Sequence, residues 1–238
     1  MSKNETTKNY WDNYNIKYTN NWVGASKKAL SELEINFLYK HLHQQHPQRI
    51  LDIGVGNGRI LSGLIASSNN NSEIFGIDIS EKMVEICNQN FSGQTKIKGL
   101  AVCDISCEPA PYIDLDLVSA IRVIKYNKDW IKILENVSKS MKQHGIFVFT
   151  MLNKNSLSRF SDYGMPVYLT NKKEMLMILE KNGFELLEIT SFSRLPAFLY
   201  HINNELYAKV LLLVEKTLEI LAGRTFCGKE FFISARKK

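Results

Sequence analysis

Two hydrophobic rhythms alternate along the chain. Short apolar runs of strand length occur at residues 49–53, 73–79, 96–102, 115–121 and 146–152, and runs of that length bounded by turn residues read as buried strands. Between them the apolar positions recur at helical spacing, at 58–67, 81–91 and 128–143, with His144 and Gly145 predicted to stop the last of these helices. Strands alternating with helices predict a parallel sheet covered on both faces.

The flanking segments break the rhythm. Residues 1–29 are polar with interleaved aromatics (Tyr10, Trp11, Tyr14, Tyr18, Trp22), and 31–46 reads as a helix with Leu33, Phe37, Leu38 and Leu42 on one face. After residue 152 comes a polar and aromatic loop, 153–170, then a helix at 171–182 ending at Gly183, and a strand at 184–192. Residues 193–223 form an insertion, mostly a helix at 203–222, before a final strand at 229–235. The expected fold is therefore α/β and Rossmann-like: a doubly wound, mostly parallel seven-stranded sheet with its last strand antiparallel. One domain spanning 1–238 is expected, with 1–46 as an N-terminal helical lid, 47–153 as a cofactor-binding core and 154–238 as the acceptor side.

Composition narrows the class. Apolar residues make up 45% of the 238 residues, as in water-soluble globular chains. The net charge of +6 comes from scattered lysines, with one short basic run at the end, so a solvated basic surface is the simpler reading than a nucleic-acid face. The four cysteines have no metal-like spacing and are expected to be reduced thiols of a cytoplasmic protein; no metal is expected. The first residues lack the apolar core of a signal peptide, and the most apolar stretch, 206–222, carries too many charges to cross a bilayer.

The chemistry concentrates in Asp52-Ile53-Gly54-Val55-Gly56-Asn57-Gly58-Arg59, which places three glycines directly after a strand and before a helix. Such glycines let the backbone turn sharply and approach a ligand closely. The next strand ends at Asp78, and the third leads to Cys103-Asp104-Ile105, so two further acids reach the same sheet edge. A carboxylate there can accept hydrogen bonds from ribose hydroxyls; the plainer alternative is that Asp78 and Asp104 cap the turns that follow them. A dinucleotide fingerprint would put its third glycine three residues after the second, whereas Gly58 follows Gly56 by two and is succeeded by Arg59.

With those residues in place, the segment from about 45 to 153 resembles the class I S-adenosylmethionine-dependent methyltransferase family. The resemblance implies that Asp52 faces the methionine amino group and that Gly54, Gly56 and Gly58 cradle the methionine portion. It also implies that Asp78, with Ile79 beside it, binds the ribose, that Asp104 contacts adenine, and that Met83 and Ile105 flank the base. Arg122 is a further cofactor-side candidate.

Methyl transfer needs alignment and desolvation more than a nucleophilic residue. Candidate acceptor-side groups after the fourth and fifth strands are Arg122, Tyr126, Asp162, Tyr163, Tyr168, Tyr200 and His201, with Tyr10, Trp11, Tyr14 and Trp22 as a lid. Arg122, Tyr126, Tyr168 and His201 are the candidates for a catalytic part. Ala120-Ile121-Arg122-Val123 replaces the Asn/Asp-Pro-Pro-aromatic motif of family members that methylate adenine or glutamine amides, which favours a small-molecule acceptor. Leu195, Phe198, Leu199, Tyr200 and 210–214 suggest an apolar pocket wall, or else a helix buried in the chain or against a homodimer partner. The alternatives kept open are a non-catalytic S-adenosylmethionine-binding protein and a methyltransferase directed at RNA or lipid.

Overall fold

The computed structural model describes residues 7–13, 24–156 and 163–238. Tyr14, Trp22 and Asp162 lie outside these residues. A short helix α1 (7–13) precedes α2 (Ala25–Gln45), β1 (Arg49–Ile53), α3 (Arg59–Ser67), β2 (Glu73–Asp78), α4 (Glu81–Asn90), β3 (Ile97–Val102) and β4 (Leu115–Ala120). There follow α5 (Trp130–Ser140), β5 (Met141–Asn153), β6 (Leu169–Thr170), α6 (Lys172–Lys181), β7 (Phe184–Phe192), α7 (Glu205–Ala222) and β8 (Glu230–Lys237). The sheet order is β3-β2-β1-β4-β5-β8-β7; β8 runs antiparallel to both its neighbours, and the two-residue β6 adds an eighth strand beside the end of β5.

Alternating strand residues serve two cores. Leu51, Ile53, Phe147 and Phe149 pack toward α5 and α6, through Ile133, Leu134, Met175 and Leu179. Ile50, Leu117, Ile146 and Val148 pack toward α2 and α3, through Phe37, Leu38, Ile60 and Leu64. This period of two, filled on both sides, is what a sheet covered by helices requires.

The helix expected over 128–143 ends earlier, at Ser140, and residues 141–145 already belong to β5. Two forces end it. Met141 is drawn into the α5 core, and the Lys237 ammonium takes the carbonyls of Ser138 (2.6 Å) and Met141 (2.9 Å) that a longer helix would have bonded internally. His144, at φ +65°, then sits in an irregular stretch of the β4/β5 pairing rather than at a helix stop. Capping elsewhere follows the sequence: Asn171 and Glu174 form a capping box on α6, and Asn204 caps α7.

The glycine loop is fastened to β2. Gly54 and Val55 donate their N–H groups to the Ile77 carbonyl (2.7 and 3.1 Å), and Gly54 and Gly56 have φ of +72° and +52°. The Val55 side chain fills the space over Gly76, where a Cβ would lie 2.5 Å from Val55 Cγ1 and 2.6 Å from Leu100 Cδ2. Gly76→Ala should therefore push the loop off β2 and destabilise the fold by about 1–3 kcal/mol. Urea denaturation checks this, and an unchanged midpoint would show that Val55 is not packed as described.

Candidate active site

A cavity of about 520 Å³ opens over the C-terminal ends of β1 to β4. That edge is where open α/β sheets bind ligands, and the volume lies within the roughly 300–1,000 Å³ usual for small-molecule sites. Its wall divides by charge into an acidic half and a basic half.

At the acidic half, Ile53, Gly54, Gly56, Asp78, Ile79, Met83, Asp104 and Ile105 line the wall. Asp78 accepts from the backbone N–H of Ser80 and Gly56, both at 2.9 Å. Burial pushes its carboxyl above the usual range, while those backbone donors act to hold it down. Asp104 accepts from Ser106 N (3.0 Å) and Ser106 Oγ (2.6 Å). Both acids thus cap their own turns and also face the cavity, so the two readings of the sequence coexist. Helix α1 closes this half: Thr7, Tyr10 and Trp11 line it, and the Trp11 ring meets Tyr126 edge-on at 5.2 Å.

Asp52 and Gly58 are not on the cavity wall among the described residues. Asp52 stands behind the loop, 1% exposed, accepting from Ser119 Oγ at 2.6 Å and leaving Oδ2 without a hydrogen-bond partner. Desolvation pushes its carboxyl up to about 7, against the lowering influence of the Ser119 bond and of Arg59. Gly58 serves packing: its φ is +90°, and a Cβ there would lie 2.1 Å from the Phe91 ring.

At the basic half, Arg122 follows β4 at φ +65° and lines the cavity together with Lys27, Tyr126, Tyr163, Tyr200, His201 and Lys229. Arg122 pairs with Glu34 and lies 3.6 Å from Glu230; Arg59 also pairs with Glu34 (2.9 Å), and Lys125 with Glu230. Burial alone would raise the Glu230 carboxyl, but Arg122 and Lys125 hold it down at about 2. Arg122 is therefore committed to ion pairs that position it, and burial would oppose its charge without them. Lys125, Glu34, Glu230, Lys27 and Lys229 were not legible as site residues. Glu34 sits on the apolar stripe of its helix between Leu30 and Leu38, the one sequence signal that a buried acid needed a partner.

The other acceptor-side candidates separate. Tyr168 lies off the cavity, packed against the α5 core with its backbone held by the Lys125 carbonyl at 2.8 Å. The Tyr200 hydroxyl is bound to Glu215, itself paired with Arg194 at 3.1 Å, so it fastens the 193–201 segment to α7 rather than awaiting a substrate proton. Leu195 lines the cavity, whereas Phe198, Val210 and Leu213 point to solvent and Leu211 is buried against Leu30 and Tyr200, so of the two readings of 210–214 a helix burying a face within the chain holds and a pocket wall does not. No helix among the described residues is long and apolar enough to cross a membrane.

The residues present suit a nucleoside attached to a cationic chain: two acids at the β2 and β3 tips, apolar neighbours for a base, and a buried carboxylate oxygen without a partner behind the glycine loop. The fold is shared with magnesium protoporphyrin IX methyltransferase of Synechocystis, solved with bound S-adenosylhomocysteine. The match is 14% identical over 98% of this chain and 99% of that one, with a TM-score of 0.66. The [4+2]-cyclase SpnF is similar in fold as well, at 17% identity, covering 89% of this chain and 80% of that one, with a TM-score of 0.62. In sequence, residues 45–191 match the methyltransferase domain model. The chain belongs to that family, the class I S-adenosylmethionine-dependent methyltransferases. A curated relative, the tRNA N(3)-methylcytidine methyltransferase trm140 of Schizosaccharomyces pombe, is 26% identical over 155 residues, 56% of this chain. The chain spans about half the length of that relative.

Asp52 gives a pH-dependent test. Its folded carboxyl titrates near 7 against 3.8 when unfolded, so the native state binds the extra proton between those values and stability falls as pH rises through that window. Asp52→Asn should therefore leave stability at pH 4 nearly unchanged and raise it at pH 8, by up to roughly 4 kcal/mol. Thermal melts of both proteins at the two pH values check this; equal gains at both would place the carboxyl in a solvated site.

Proposed function

We propose that the protein transfers a methyl group from S-adenosylmethionine to an oxygen or nitrogen atom of a small-molecule acceptor. The observation that carries this reading is the single cavity wall shared by Asp78, Asp104 and the glycine loop on one side and by Tyr126, Tyr163, His201 and Lys229 on the other. Donor and acceptor would meet over the β1/β4 tips. Asp78 would take the ribose hydroxyls, Asp104 the adenine edge, and Met83, Ile79 and Ile105 the base faces. Asp52 would act from behind Gly54 as a buried carboxyl whose ionised form complements a cationic donor, and Gly58 would act through the loop's conformation.

The donor supplies an electrophilic methyl on sulfur; the protein's part is orientation and exclusion of water. Trp11, Tyr10 and Tyr126 cover the acidic half and shield it. Lys27, with burial and Lys229, lowers the His201 imidazole below its ordinary range, which favours its neutral form at the basic end of the cavity. Arg122 would hold the acceptor-side wall in place through Glu34 and Glu230.

A second reading, RNA as acceptor, is favoured by the tRNA-directed relative. It predicts binding of RNA that weakens steeply with salt. The small-molecule reading is supported instead by where the lysines stand: Lys27 and Lys229 are half-buried within the cavity.

Calorimetric titration with S-adenosylhomocysteine, with NADH as control, tests the donor site. The native chain should bind S-adenosylhomocysteine in preference to NADH, and Asp78→Ala should weaken that binding about 100-fold, the loss expected when charge-assisted bonds to two hydroxyls are removed. Preference for NADH, or indifference to the substitution, would sink the reading.

A further inference from the structure

The basic half of the cavity holds more cations than the fold pairs. Glu34 is taken by Arg59 and Arg122, and Glu230 by Lys125 and Arg122. Lys27 and Lys229 have no ion-pair partner among the described residues, yet both line the cavity and both are half-buried. An unpaired, partly buried ammonium costs stability. Desolvation lowers the Lys229 ammonium to about 8 despite Glu230, with Lys125 and Arg122 adding to the effect, and Lys27 is lowered by burial and by Arg122 and Lys229.

Three separate elements converge to hold these groups. The start of α2, which carries Lys27, is fastened beside the 197–201 turn: Ala25 N–H donates to Asn203 Oδ1 (2.9 Å) and Ser26 Oγ–H to the Ile202 carbonyl (2.6 Å). Lys229 enters β8 with its N–H on the Phe192 carbonyl (2.8 Å) and its carbonyl accepting from Asn153 N–H (3.0 Å), so its backbone is fixed on both sides. Its ammonium lies 4.7 Å from the centre of the Tyr163 ring. Because β8 is antiparallel, its first residues reach the same sheet edge as the β4 tip, and His201 completes the group from the 197–201 turn.

Resting on the methyltransferase reading, we propose that the acceptor carries an anionic group, a carboxylate or a phosphate, held by Lys27 and Lys229 with His201 beside them. The aromatic rings of Tyr126 and Tyr163 would flank the body of the acceptor, and its anion would supply the counter-charge that the fold itself withholds from the two lysines. The acid-lined half of the cavity repels such a group, so the same charges that bind it also direct which end faces the donor.

The test uses the full chain saturated with S-adenosylhomocysteine and titrated with benzoate, phenyl phosphate and neutral benzamide as probes. At least one anion should bind about tenfold or more tightly than benzamide, consistent with one or two charge-assisted contacts, and which anion does so distinguishes carboxylate from phosphate. Lys229→Met and Lys27→Met should each abolish most of that preference while leaving S-adenosylhomocysteine affinity within about twofold; Lys229→Gln serves as a second variant if the methionine disturbs folding. Equal binding of benzamide, or absence of probe binding, overturns the proposal. So does a loss of S-adenosylhomocysteine affinity in the lysine variants, which would mean that the two ammonium groups hold the donor's own carboxylate. If the native chain binds the anions through these lysines but not S-adenosylhomocysteine, the anion site stands and the methyltransferase reading fails.

Discussion

Two carboxylates with almost no contact with solvent, Glu34 on α2 and Glu230 at the head of β8, organise the basic half of the cavity. A charge taken out of water costs several kcal/mol unless it is paired, so each must draw cations to it. Glu34 draws Arg59 from α3 and Arg122 from the β4 tip; Glu230 draws Lys125 from the following turn and approaches Arg122. Segments far apart in sequence are thereby tied into one basic wall of the cavity. Arg122 is held at φ +65°, a conformation that a non-glycine residue adopts only where its surroundings compensate. Such a network adds less to net stability than apolar packing of similar volume would, but loss of Glu230 would leave the buried Lys125 ammonium without an ion-pair partner among the described residues. Its contribution is to position the wall.

The opposite half of the cavity depends on an equivalent economy of backbone donors. Asp78 accepts one backbone N–H on each oxygen, from Ser80 and Gly56, which locks the glycine loop to the β2 tip, and Gly76 clears the space that Val55 needs for the loop to lie flat. Asp52 is the exception, a carboxyl with one oxygen satisfied by Ser119 and the other left without a partner under the loop. The acid half is therefore built by hydrogen bonds within a short stretch of chain, and the basic half by ion pairs across the whole chain.

That difference explains what the sequence could and could not disclose. The strand and helix alternation, the turn glycines and the acids at the strand tips are local features, visible in Asp52 to Arg59, Asp78 and Asp104. They predicted the sheet and its layers and pointed to the acid-lined edge of the cavity. The basic wall is non-local. Lys27, Lys125, Lys229 and Glu230 look like ordinary surface charges along the chain, and only the antiparallel insertion of β8 between β5 and β7 brings the last two beside Arg122. The end of α5 failed for the same reason, since the Lys237 ammonium that closes it comes from the far end of the chain. Tyr168 lies off the cavity, and 210–214 could be read two ways, because an apolar or aromatic residue near a sheet edge packs as readily on the core, or faces solvent, as it lines a cavity.

Charge placement also bears on the size of the acceptor. A polyanionic chain is gripped at many phosphates by cations standing free on a surface, and its binding gains from their number. The cations singled out here are few, half-buried and pointed into a cavity whose other wall is acidic. On the proposed reading, one compact anion meets these lysines, and a second would lie toward Asp78 and Asp104 at the acidic half. On the proposed reading, the polarity of the cavity favours an acceptor with a single charged end, met by Lys27 and Lys229, which have no ion-pair partner among the described residues.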